Sequence, residues 1–109
     1  MAINFVRGDT APQLKLTLRD SLSTNQVLDL TGAVVKLHIR AVGSSTLSLS
    51  KTATVSAPTT GVAVIEWAEG DLNMAAGSYE AEVEVYYSAT GIRETVYELI
   101  QLVIRGEIA

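Results

Sequence analysis

Apolar and polar residues alternate along most of this chain with a period of two, the spacing of strands that bury one face. Leu14, Leu16 and Leu18 alternate with Lys15, Thr17 and Arg19. Ala33, Val35, Leu37 and Ile39 alternate with Val34, Lys36, His38 and Arg40. Tyr79, Ala81, Val83, Val85 and Tyr87 alternate with Glu80, Glu82, Glu84 and Tyr86. A slip of one residue would turn each apolar set to solvent, so the register of these runs is well specified. Three further segments read as strands with less regular patterns. Thr46–Ser50 is short, with Leu47 and Leu49 facing one way, and Gly61–Trp67 carries Ala63, Ile65 and Trp67 on one side. The last strand, about Thr95 to Ile104, is apolar on both faces: Val96, Ile100, Leu102 and Ile104 on one, Tyr97, Leu99 and Val103 on the other. A strand of that kind is central or covered by a partner.

Turn chemistry separates the runs. Asp20 to Asn25 is a polar connection, and Pro58-Thr-Thr-Gly61 offers a fixed φ followed by a permissive residue. Ala76-Gly77 and Thr90-Gly91 precede new strands. Glu69–Ala76 is the one segment with helical leanings, about a turn that Asp71 would cap and Gly77 would end. Seven to eight short strands with no long helix predict an all-β fold, an antiparallel β-sandwich forming one domain over 1–109. A small closed barrel fits the same pattern.

Composition narrows the function more than the fold. A chain of 109 residues is one domain's worth. With no cysteine, disulfides, thiolate metal sites and cysteine nucleophiles are excluded. Eight basic against twelve acidic residues give a net charge of −4, which leaves no basic stripe for nucleic acid. The opening Met-Ala-Ile-Asn-Phe-Val-Arg lacks a basic start followed by an apolar run. The longest uncharged stretch, Thr52 to Ile65, is rich in Ser, Thr, Gly and Pro and unfit to span a bilayer. The expectation is a soluble protein made in the cytoplasm, with no membrane partner.

Candidate chemistry is sparse, and the expectation is of no enzyme and no cofactor. His38, the sole histidine, sits mid-strand on a polar face, and no Gly-x-Ser-x-Gly elbow or P-loop occurs. Glu80, Glu82 and Glu84 form a comb spaced about 7 Å apart. A flat comb is a poor calcium cage, and a solvated face paired with cross-strand Lys or Arg explains it better, so no metal site is expected. Arg7-Gly8-Asp9 reads as a turn rather than a recognition tripeptide. Trp67 ends an apolar run and reads as core packing, with a sugar-binding platform as the alternative. Tyr86 and Tyr87 point to opposite faces, so Tyr86 shares the glutamate face and is a candidate contact residue.

Four segments in order carry a resemblance: Phe5-Val-Arg-Gly-Asp-Thr-Ala-Pro-Gln-Leu-Lys-Leu-Thr-Leu18, Leu28-Asp-Leu-Thr-Gly-Ala-Val-Val-Lys-Leu-His-Ile-Arg40, Gly61-Val-Ala-Val-Ile-Glu-Trp67 and Ala76-Gly-Ser-Tyr-Glu-Ala-Glu-Val-Glu-Val85. Together they resemble the N-terminal domain of the phage baseplate upper protein family, an Ig-like β-sandwich of tailed-phage virions, over about Phe5 to Ile104. The resemblance implies an opening turn at Gly8-Asp9-Thr10, a corner at Leu30-Thr31-Gly32, and a Tyr79 hydroxyl that ties down a neighbouring loop. It implies a virion structural protein: an adaptor or covering module of the tail, baseplate or fibre, acting by docking onto other virion proteins and forming a homo-oligomer in the particle. Capsid decoration is the alternative, and a carbohydrate-binding or adhesin module a weaker one. The family's helical linkers and receptor-binding portion are missing after the last strand, which favours the adaptor or covering role. The candidate contact residues are Ala2, Ile3, Asn4, Phe5 and Val6 of an extended N-terminal arm (1–6), Tyr86, Tyr97 and Leu99, and Arg105 at the start of a C-terminal tail (105–109). An extended arm can add a strand to a neighbour's sheet.

Overall fold

A computed structural model of the chain describes residues 2–10, 13–19, 27–95 and 100–106. The fold is nearly all-β: among the described residues there is no α-helix and one 3-10 turn, at Pro58–Thr60. The strands are β1 (Ala2–Val6), β2 (Leu14–Thr17), β3 (Ala33–Ala41), β4 (Leu47–Thr52), β5 (Val62–Ile65), β6 (Gly77–Tyr87), β7 (Ile92–Thr95) and β8 (Ile100–Arg105).

The two longest alternating runs pair at the centre. β3 and β6 run antiparallel from Ala33 opposite Tyr87 to Ala41 opposite Tyr79. Their in-register alternation places Val35, Leu37, Ile39, Ala81, Val83 and Val85 on one face, all fully buried. Each large side chain so buried is worth ~1.5–3 kcal/mol, which holds the register. The six-stranded sheet built on this pair has the order β1-β8-β6-β3-β4. β3 fills one edge of β6, so β7 and β8 share the other. β2 and β5 form a second, two-stranded sheet, and its Leu14, Ala63 and Ile65 join Leu18 and Trp67 in the same core as the large sheet's inner face.

The chain crosses between the sheets within one peptide. The Ala53 N–H donates to the Val35 carbonyl of the large sheet at 2.8 Å, while Thr54 exchanges hydrogen bonds of 2.8 and 2.9 Å with Val64 of β5. Turns fix the other corners. Gly61 sits at φ 69° where an added Cβ would lie 2.7 Å from the Leu18 carbonyl oxygen and 2.9 Å from the Val27 Cβ. Only glycine meets both the backbone angle and the space. At Leu30-Thr31-Gly32 the Ala33 N–H donates to the Leu30 carbonyl at 2.9 Å and the Thr31 N–H to the Asp29 carboxylate at 3.0 Å, making the expected corner.

Five expectations change. The sheet is mixed, because β1 runs parallel to β8, Ala2 opposite Gln101 through Val6 opposite Arg105. Residues 2–6 are therefore an integral strand rather than a free arm; Phe5, 3% exposed, is the reason, since its ring belongs to the core. Leu47 and Leu49 do not share a face. The register shifts between Ile39 and Arg40, so Leu49 stands opposite Ile39 and Leu47 opposite Arg40, where Leu47 is 53% exposed. One extra residue, Ser48, turns the alternation over. Glu69–Ala76 forms turns instead of a helical turn, because the Asp71 carboxylate accepts from the Ala68 N–H behind it at 2.7 Å rather than capping residues ahead. The long strand read over Thr95–Ile104 is divided between β7 and β8, whose pairings with β6 differ in register by two residues, and 96–99 lies outside the described residues.

Candidate interaction surface

The contact residues expected from sequence fall in two places on the large sheet. The first is the rim formed by β1 and β8. Ile3 and Phe5 point inward, Ile3 half-buried against the core and Phe5 edge-on to Trp67 with ring centroids 5.3 Å apart and planes at 77°. Such a T-shaped pair adds ~0.5–1.5 kcal/mol to the burial of the two rings. Asn4 and Val6 alternate outward, Asn4 exposed and Val6 half-buried. With Phe5, Val103 and Arg105 they line a shallow groove of about 270 Å³. The ladder continues past the strand: the Arg7 N–H donates to the Arg105 carbonyl at 2.8 Å, and the Asp9 N–H closes a turn onto the Val6 carbonyl at 3.1 Å. Arg7-Gly8-Asp9 is thus a turn at the end of an edge strand, with Gly8 at φ 86°.

The second place is the outer face near Tyr86. Tyr86 lies between Val34 of β3 and Arg93 of β7, and the Arg93 guanidinium stands 5.2 Å from its ring centroid. Val34, Lys36, Glu84, Tyr86 and Arg93 line a depression of about 190 Å³. The chain's alternation revealed Tyr86, but nothing in it pointed to the arginine above the ring, which depends on the β6–β7 register. Tyr97 and Leu99 lie outside the described residues.

Two glutamates of the comb, Glu80 and Glu84, are paired across strands. Glu80 accepts from both Nε and Nη2 of Arg40 at 2.8 Å. Glu84 lies 3.7 Å from His38 Nε2 and 3.8 Å from Arg93 Nε, and His38 Nδ1 is 2.8 Å from the Ser50 hydroxyl. His38 is held as a strut between β4 and β6. Among the described residues no three His, Asp or Glu side chains converge as metal ligands.

Two loops are pinned by ionised carboxylates. Hydrogen bonds from the Thr31 hydroxyl, and then from its N–H, hold the Asp29 carboxyl below its usual range. Lys51 Nζ, 2.5 Å away, does the same for Asp71 against the cost of partial burial. Two tyrosine hydroxyls tie strands to loops. Tyr79 donates to the Ala75 carbonyl at 2.6 Å and Tyr87 to the Asp29 carbonyl at 2.7 Å. Burial raises the Tyr87 hydroxyl's pKa, with the charges of Glu94 and Asp29 adding to it. Trp67, the residue on which a sugar platform depended, is 5% exposed and belongs to the core, so it offers no stacking face. In comparisons with known proteins, no family model and no curated protein matches this sequence.

Proposed function

We propose that this chain is a structural module of a tailed-phage particle, an Ig-like β-sandwich that docks onto other virion proteins of the tail, baseplate or fibre region. The observation that carries this reading is the role taken by the four motif segments. Gly8 and Asp9 make the opening turn, Leu30 to Gly32 a corner, Trp67 a core ring against Phe5, and Tyr79 a tie to Ala75. Motifs spent on turns and core packing carry a scaffold, and a scaffold acts through its surface. The strand order supports the Ig-like assignment. β8-β6-β3-β4 beside a β2-β5 pair corresponds to the GFCC′ sheet of a variable-type sandwich and part of its opposing sheet. The Tyr79 bond, near the start of β6 and reaching four residues back, has the geometry of a tyrosine corner.

The mechanism is assembly by surface complementarity, with copies presenting identical rims and faces to a symmetric structure. The test is localisation. The tagged protein is expected to co-sediment with intact particles and to be labelled at the tail, and label confined to the head would move the role to capsid decoration. Absence from finished particles would overturn the virion reading.

A further inference from the structure

The open-edged strands of this protein are not finished alike. Sheet edges expose rows of unpaired N–H and C=O groups, and proteins blunt them with charge, proline, bulges or short length. β4 carries Lys51 and adjoins a bulge, β7 has four residues including Arg93 and Glu94, and β2 has four including Lys15. β1, Ala-Ile-Asn-Phe-Val, has no charge, no proline and no bulge, and among the described residues its outer edge has no strand beside it.

The direction of its hydrogen-bonding groups follows from the ladder. The Arg7 N–H points at β8, donating to the Arg105 carbonyl. Strand groups alternate sides, so the N–H and C=O of Ile3 and Phe5 also face β8, and those of Ala2 and Asn4 face outward with the Val6 N–H, the Val6 carbonyl being taken by the Asp9 N–H. Two copies meeting edge to edge and antiparallel therefore have one symmetric register that uses all five residues. Asn4 stands opposite Asn4 on the two-fold axis, with Ala2 opposite Val6 on either side. The Asn4 N–H donates to the Asn4 carbonyl of the second copy and receives the reciprocal bond, and each Val6 N–H donates to the other copy's Ala2 carbonyl. On the inner face Ile3 falls opposite the second copy's Phe5, extending the core across the axis; no like charges face each other along the strand.

We infer that β1 is a self-pairing edge, and that two copies of this chain join through it into one continuous sheet centred on Asn4. This surface is independent of the virion role: the pairing is a property of the purified chain, and its failure would leave the proposed function standing. A chain of 11.6 kDa is expected to sediment at twice that mass at micromolar to millimolar concentration. Asn4→Pro removes an N–H that points away from β8, and Asn4→Lys sets two ammonium groups against each other at the axis. Asn4 is exposed, so both variants are expected to keep the wild-type circular dichroism and to sediment as monomers. Asn4→Cys gives a register readout, because the chain has no other cysteine. Opposed Cα atoms in a hydrogen-bonded pair lie about 5.5 Å apart, within the roughly 4.4–6.8 Å that a disulfide spans. Added diamide, accepting the two electrons and two protons, is expected to convert this variant to a covalent dimer and to leave Val42→Cys, exposed but just past the end of β3 and away from the β1 edge, monomeric. A wild-type chain that stays monomeric up to the millimolar range overturns the inference. So does a dimer that survives both Asn4→Pro and Asn4→Lys, or an Asn4→Cys chain that cross-links no faster than Val42→Cys.

Discussion

The large sheet ends in β1 on one side and β4 on the other, and the two rims are finished by opposite means. At β4 the chain blunts its own edge: a bulge turns Leu47 outward, Lys51 reaches Asp71, and the next residues cross to the second sheet, where Thr54 pairs with Val64. At β1 the chain secures the strand from beneath, through Phe5 on Trp67, and among the described residues no strand lies along the outer edge. A rim blunted by a bulge, a charge and a crossover is guarded against a further strand. A rim held by one buried ring is stable and still has hydrogen-bonding capacity to offer, which is the property a docking edge needs.

That contrast gives way most readily at Phe5. Phe5→Ala is expected to cost ~3–5 kcal/mol in chemical denaturation, as a cavity opens against Trp67 and β1 loosens from β8. A loss below ~1 kcal/mol would mean that residues 2–6 are a dispensable arm after all. On the other side, β5 receives the crossover strand, and Gly61 sets its start. Gly61→Ala is expected to cost about 3 kcal/mol, combining left-handed strain with the contact on the Leu18 carbonyl. The same substitution at Gly43, with open space around its Cβ position, is expected to cost less, and equal losses would remove the steric part of the argument. The smallest effect sharpens the charged side of the comparison. The Asp71 carboxyl is held below its unfolded value by Lys51, so its contribution is complete above the ordinary carboxylate range and disappears as pH falls through the folded value. Asp71→Asn is expected to lower stability by ~1 kcal/mol at neutral pH and to flatten the acid limb of a pH–stability profile. An unchanged acid limb would show that the ion pair contributes nothing to that rim.

Much of this architecture is written in the alternation itself. β2, β3, β5 and β6 fall where period two places them, because each has one face against the core and a slipped register would expose it. The rims were harder to read. Leu-Ser-Leu-Ser looks like uninterrupted alternation, and nothing local distinguishes it from a run in which Ser48 is an extra residue. The pattern Ile3-Asn4-Phe5 is strand-like, but its partner is the far end of the chain, and a parallel pairing has no hairpin signal to announce it. The candidate surface followed the same division. Parity alone puts Tyr86 on the outer face, while Arg93 over its ring and the groove beside Val103 arise from neighbours that only the completed sheet supplies.

The parallel ladder between β1 and β8 also orders events in time. β1 has its seat beside β8, so its docking waits until residue 105 has left the ribosome. Contacts between residues so far apart in sequence form slowly, because closing so large a loop is costly before any contact rewards it. Until β8 is made, an uncharged five-residue segment with an unhoused aromatic ring stays in the open.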